Sequence, residues 1–263
     1  MKKINLISKS GKSYTVNMPL PQKGLERSYI FAFAKSGSTL LDNMVSVYCQ
    51  NQRIPNFSLF NTAFDQGVST QEITGDAINC VEQDGYVYTG FRHFPIFDID
   101  LSDATTILLT RDPRDMLVSM YYSIIKSHVV PKGNLLLAKN RERVKQIDIN
   151  TFVVKSANIY LQHLERYKSM LSRSKLKIFR YEDVIYNKKD WLVDVLEHLC
   201  LSVNNRLVKE VASRFDIIPQ KENDNEHIRQ VHPGNYKDKL SPETIEILNV
   251  KLAPFLNYFN YDV

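Results

Sequence analysis

Three short stretches gather residues suited to handling negatively charged groups. Lys35-Ser36-Gly37-Ser38-Thr39 joins an apolar, β-prone run (28–34) to a segment with helical apolar spacing at Leu40, Leu41, Met44, Val45 and Tyr48. A strand that ends in a Gly-containing turn and passes at once into a helix aims several backbone N–H groups and the positive helix end at one point. Ser36, Ser38 and Thr39 add hydroxyl donors and Lys35 adds a mobile cation, which together make a cradle for phosphate or sulfate. This is not the ATPase phosphate loop, GxxxxGK[ST], whose Lys stands at the far end. Gly11-Lys12-Ser13 has Leu6 in place of the first Gly and falls within a hairpin. The plainer reading of the Lys35 turn is an ordinary strand-to-helix connection.

Arg111 ends the apolar run 105–110 at a carboxyl edge, where open α/β sheets hold ligands. Ser119 follows about two helical turns later. An Arg fork and a Ser hydroxyl suit a second anion; the plainer reading pairs Arg111 with Asp112 or Asp115 at the surface. His93 follows the run 86–91, again at a carboxyl edge. An imidazole there can take a proton from an acceptor hydroxyl near neutral pH; the alternative is a ring N–H satisfied by backbone. His128, His163, His198, His227 and His232 lack such placement and read as structural or surface residues.

These groups need a frame. An N-terminal hairpin is predicted over 4–8 and 14–17, with further strands at 28–34, 86–91, 105–110 and 176–180. Helices are predicted at 39–48, 113–127, 150–171, 191–199 and 204–215. The recurring strand–loop–helix order gives an α/β fold with a central parallel sheet flanked by helices. Asp112 and Pro113 suit the N-cap and first position of a helix. The least regular stretches, 128–149 and 219–242, are polar and charged, as binding loops in α/β proteins tend to be. No domain boundary interrupts the chain, so residues 1–263 read as a single domain.

Composition removes several classes. With 43% hydrophobic and 24% charged residues the chain is an ordinary globular protein rather than a disordered one. No apolar run approaches the roughly 18–20 residues that span a bilayer, and the N-terminus lacks a secretory signal's apolar stretch. A cytoplasmic protein without membrane insertion is expected. Cys49, Cys80 and Cys200 lie far apart with no CxxC pair, which argues against a disulfide framework or a Cys-based zinc site. No metal-ligand cluster is visible. The net charge of +5 suits an anionic ligand and is too dispersed to suggest nucleic acid.

Taken together, the stretches resemble the sulfotransferase family that uses 3′-phosphoadenosine 5′-phosphosulfate (PAPS). Lys35–Thr39 is similar to that family's Lys-Ser-Gly-Thr-Thr loop, which grips the 5′-phosphosulfate. The run from Arg111 to Ser123 is similar to its 3′-phosphate motif, in which the first Arg and the later Ser bind. Arg180-Tyr181-Glu182-Asp183 resembles the Tyr-Glu-Asp segment, whose Tyr contacts adenine. The run from His227 to Lys237 resembles the late loop, whose Arg, here Arg229, closes over the 3′-phosphate. Phe91-Arg92-His93-Phe94-Pro95 resembles Lys-Thr-His-Leu-Pro, whose His is the catalytic base. The resemblance runs from Tyr29 to about Pro242 and implies a sulfotransferase fold of the P-loop NTPase type. It also implies PAPS as donor, the bisphosphate PAP as product, no metal, and a small-molecule acceptor bearing a hydroxyl or, secondarily, an amine.

Some positions depart from the pattern. Leu40 stands where many members stack a Trp on adenine, which makes Phe215 a candidate stacking residue. Phe91 replaces a Lys, and Gln230 and Val231 replace Lys and Gly beside Arg229. Lys237–Ile245 matches the family's dimer motif poorly, with Pro242 interrupting it, so no oligomeric state is assigned. Phe57, Phe60 and Phe64 have helical spacing and would either line an acceptor pocket or join the core. Two other classes compete: a P-loop kinase, which needs a Walker Lys and a Mg²⁺-holding carboxylate, and a non-catalytic nucleotide-binding protein of the same fold.

Overall fold

The computed structural model describes residues 1–92, 98–127, 135–217 and 231–263. β1 (Lys2–Ile7) and β2 (Ser13–Met18) form the expected antiparallel hairpin. Then follow β3 (Ser28–Ala32), α1 (Ser38–Gln52), β4 (Asn56–Phe57), α2 (Leu59–Asp65), β5 (Val87–Phe91), β6 (Thr105–Thr110), α3 (Pro113–Tyr122) and α4 (Leu135–Lys145). The chain continues through α5 (Ile149–Ser156), α6 (Asn158–Leu171), β7 (Lys175–Arg180), α7 (Tyr181–Val184), α8 (Lys188–His198), α9 (Asn205–Arg214), α10 (Tyr236–Lys239) and α11 (Pro242–Tyr258).

β3 to β7 make one parallel sheet in the order β4-β5-β3-β6-β7. Every residue of β3, β5 and β6 is buried, which is why these strands read as nearly continuous apolar runs: a parallel sheet carries helices on both faces. On one face Tyr29, Phe31, Tyr88 and Leu108 pack with residues of α2, α3, α5, α6 and α11. On the other, Ile30, Val87, Ile107 and Leu109 pack against α1, α8 and α9, with Trp191 buried among them. The carboxyl ends of β3, β5 and β6 therefore lie side by side, and the three chemistry-bearing stretches leave from that edge.

The sequence reading differs from the structure in a few places. The helix expected over 150–171 is α5 and α6, separated by Ala157, which keeps helical dihedrals. Part of the stretch read as irregular is α4. Pro242 does not interrupt an element but starts one: it occupies the first turn of α11, and the Ser241 hydroxyl accepts the Thr244 N–H. Phe57 and Phe60 are core residues, while Phe64 is half exposed, so the three do not share a pocket wall. No described helix is long and apolar enough to cross a membrane.

Candidate active site

The turn after β3 folds back on the strand. The Ser36 N–H and hydroxyl both donate to the Phe33 carbonyl, at 3.1 and 2.7 Å. This tight return puts Lys35 at φ +73° and Gly37 at φ +92°. Ser36 is wholly buried, so its one hydroxyl proton braces the loop instead of serving a ligand, contrary to the donor role expected for it. Ser38 is buried and Thr39 and Lys35 are half-buried. α1 starts immediately, with the Leu40 and Leu41 N–H groups donating to the Gly37 carbonyl. The Ser38 and Thr39 N–H groups open α1, in the first turn where the helix itself offers them no carbonyl, and they carry the positive end of a four-turn helix.

Tyr181, the first residue of α7 just past β7, touches both this turn and Arg111. A Cβ on Gly37 would lie 2.7 Å from Tyr181 Cδ2, so only glycine lets the backbone approach the ring. The Arg111 guanidinium lies 4.6 Å from the centre of the same ring, a cation–π distance. The Tyr181 hydroxyl donates to the Val231 carbonyl at 2.8 Å. With 4% of its surface exposed, Tyr181 touches both anion-handling elements and is almost wholly covered. Leu40 packs on the same small cluster as Tyr181, Ile185 and Val231. Phe215 caps α9 and packs partly buried on the second core.

Arg111 is buried, and its Nη2 donates to Asp115 Oδ2 at 2.8 Å. The ion pair of the plainer reading exists, but inside the protein and not at the surface. Arg111 Nε is buried and finds no hydrogen-bond partner among the described residues. Burial works against the charge, yet Asp115, Tyr181 and Glu182 outweigh it and leave the pKa raised. A buried cation with an unsatisfied donor is what an anion subsite requires. Ser119 lies half-buried further along α3. α3 itself starts as expected: Asp112 accepts the Arg114 N–H at 2.9 Å and pairs with the Arg114 side chain. Glu182 accepts the Asp112 N–H at 2.9 Å and the Tyr261 hydroxyl at 3.0 Å, while burial pushes its carboxyl pKa up.

His93, Arg229 and Gln230 lie outside the described residues; the segment leading to His93 is described. β5 carries a bulge, since Tyr29 faces Tyr88 but Phe31 faces Phe91. Gly90 supplies it at φ +86°, where a Cβ would sit 2.0 Å from Ser58 Oγ. Asp42, buried on α1, accepts the Gly90 N–H at 3.3 Å and takes Arg92 Nε and Nη2 at 3.3 and 3.2 Å. Burial raises its pKa, partly offset by Arg92. Phe91 turns the other way, into the core against Phe31 and Phe60. Sequence reasoning missed Asp42 and the bulge. A carboxylate on the apolar face of α1 and a glycine inside a strand run were the available signals.

A sulfotransferase domain profile matches residues 92–250. Among solved structures, a retinol dehydratase in complex with androsterone and the inactive cofactor PAP is similar over 94% of this chain and 83% of its own, at 12% identity and a TM-score of 0.61. Retinol dehydratase in a complex with retinol and PAP is similar over 99% and 92%, at 12% identity and 0.58. A mouse sulfotransferase complexed with PAP is similar over 88% and 85%, at 14% identity and 0.53. At such identities these likenesses speak for the fold. No curated protein matches the sequence significantly.

Proposed function

This chain belongs to the sulfotransferase family, and on that premise we propose that it transfers a sulfuryl group from PAPS to a hydroxyl, or secondarily an amine, of a small-molecule acceptor. The observation that carries the proposal is Arg111: a buried guanidinium whose Nε–H has no partner among the described residues, one tyrosine ring away from a helix-start cradle. Two anion-handling elements at that spacing suit a donor with a phosphate at each end of a nucleoside. The Lys35–Thr39 turn and the start of α1 would hold the 5′ group, and Arg111, Ser119 and Arg229 the 3′-phosphate. Leu40, Phe215 and Gln230 complete the proposed nucleotide site, with Tyr181 behind it. PAP in the similar structures, and retinol and androsterone as small ligands there, support the donor and the acceptor class.

The donor supplies an activated sulfuryl group. His93 takes the proton of the acceptor hydroxyl, so that the oxygen attacks as it becomes a better nucleophile. Lys35 and the N–H groups of the turn neutralise the negative charge that gathers on the bridging oxygen as the sulfur leaves. Holding both partners in line is the site's other contribution. The scheme calls on no metal.

Thermal unfolding tests the reading. PAP should stabilise the fold well beyond ATP with Mg²⁺ at equal concentration, because only PAP fills the Arg111 side. Arg111→Ala should weaken PAP binding by roughly 1.5–3 kcal/mol, the range for hydrogen bonds to charged groups. Equal stabilisation by both nucleotides would refute the 3′-phosphate assignment and favour a kinase. Sulfated product detected by mass spectrometry across a panel of alcohols would separate an enzyme from a nucleotide-binding protein without activity.

A further inference from the structure

We propose that Asp115 is a positioning residue for the 3′-phosphate site, setting which edge of Arg111 meets the anion and tying the backbone at Gly234 and Tyr236 to it. The inference rests on the nucleotide reading above and adds a residue that does not itself touch the nucleotide. Asp115 is 1% exposed, on the first turn of α3. Its Oδ2 accepts Arg111 Nη2 at 2.8 Å and the Gly234 N–H at 2.8 Å. Its Oδ1 accepts the Tyr236 N–H at 2.9 Å. One carboxylate thus receives three donors from two distant parts of the chain.

The Arg111 side is decided by this bond. A guanidinium offers five N–H groups in a rigid plane. The Tyr181 ring lies under its central carbon, and Asp115 takes one corner, at Nη2. The Asp115 bond holds the fork in one setting, and in that setting the buried Nε has no partner among the described residues. Were Asp115 absent, the fork would be free to turn, and the anion would have to order it on binding. The backbone side follows from position. Gly234 and Tyr236 come shortly after residues 229 and 230, which the nucleotide reading places on the 3′-phosphate. The same carboxylate ties the backbone at Gly234 and Tyr236 to Arg111.

Asparagine has the shape of aspartate but turns one acceptor oxygen into a donor. It cannot receive all three N–H groups, and its NH₂ would face one of them. Calorimetric titration of the native chain and Asp115→Asn with PAP and with adenosine 5′-monophosphate tests the proposal. The native chain should prefer PAP by at least about tenfold, as one charge-assisted hydrogen bond implies. In Asp115→Asn that preference should fall severalfold, while the monophosphate affinity stays within about twofold, since the cradle at Lys35–Thr39 is untouched. A residue of general structural importance would weaken both ligands alike, and that result overturns the proposal, as does an unchanged preference. Should Asp115→Asn not fold, Asp115→Glu keeps the charge and displaces the oxygens. The same loss of preference is expected of it, and retention of the native preference overturns the proposal. A native chain that binds both nucleotides equally overturns the nucleotide reading itself, which distinguishes the two failures.

Discussion

Replacing Gly37 by alanine should damage both the fold and the nucleotide site, by an amount the geometry allows to be worked out in two parts. The first is conformational: Gly37 sits at φ +92°, and an L-residue held in the left-handed region costs about 1–2 kcal/mol. The second is steric. The new methyl would lie 2.7 and 2.8 Å from two carbons of the Tyr181 ring, where an ordinary carbon–carbon contact is about 3.5–4 Å. The ring must retreat by about 1 Å, yet its hydroxyl is tied to Val231 and its face to Arg111. Overpacking of this kind costs about 1–3 kcal/mol. Urea unfolding of Gly37→Ala should therefore show a loss of about 2–5 kcal/mol. Adding Tyr181→Ala removes the clash and leaves the conformational part, so the double-mutant cycle should show a coupling of about 1–3 kcal/mol. A loss below about 1 kcal/mol, or a cycle without coupling, refutes the close approach of backbone and ring.

Lys35→Ala should lower kcat while donor KM changes little, because its charge matters most as the bridging oxygen becomes negative; its left-handed backbone is as strained with Ala as with Lys, so stability should hold, and a rise in KM with kcat intact would make Lys35 a uniform binder. His93→Ala should cost about 10²–10⁴-fold in kcat and abolish the acid limb of the pH–rate profile, where the native imidazole protonates; a variant that keeps that limb would show that another group is the base. Asp42 supplies a pH test of stability. Its pKa is raised in the fold, so the folded state holds a proton that the unfolded chain releases, and native stability relative to Asp42→Asn should fall as pH rises above about 4. A stability gap independent of pH, measured by urea unfolding from pH 3 to 7, would contradict the raised value.

The parallel sheet was legible because burial on both faces demands apolar runs, and 105–110 is such a run, found as β6 without a shift. Caps were legible where side chain and helix touch, as at Asp112 and Pro113. Legibility failed where the deciding partner is distant in sequence. α11 was overlooked because Pro242 reads as a breaker until the Ser241 cap beside it is noticed. The Ser36 hydroxyl looked like a ligand donor because nothing local shows that the chain turns back on Phe33. In sequence Arg111 suits both an anion ligand and half of a surface ion pair. The structure joins the two readings, since the pair is buried and leaves Nε over. Tyr181 belonged to a recognisable segment, but its place between Gly37 and Arg111 depends on β7 lying beside β6, which no local pattern encodes.

The strand order has a kinetic consequence. In the sheet, Ser28 lies beside both Val87 and Thr105, and Thr105 lies beside Lys175, so each pairing closes a long loop before any contact rewards it. The N-terminal hairpin is the local exception. Gly37 and Arg111 are carried to the same sheet edge by β3 and β6, and Tyr181 arrives only with β7. A refolding chain should therefore regain most of its helical signal before it regains the ability to bind PAP.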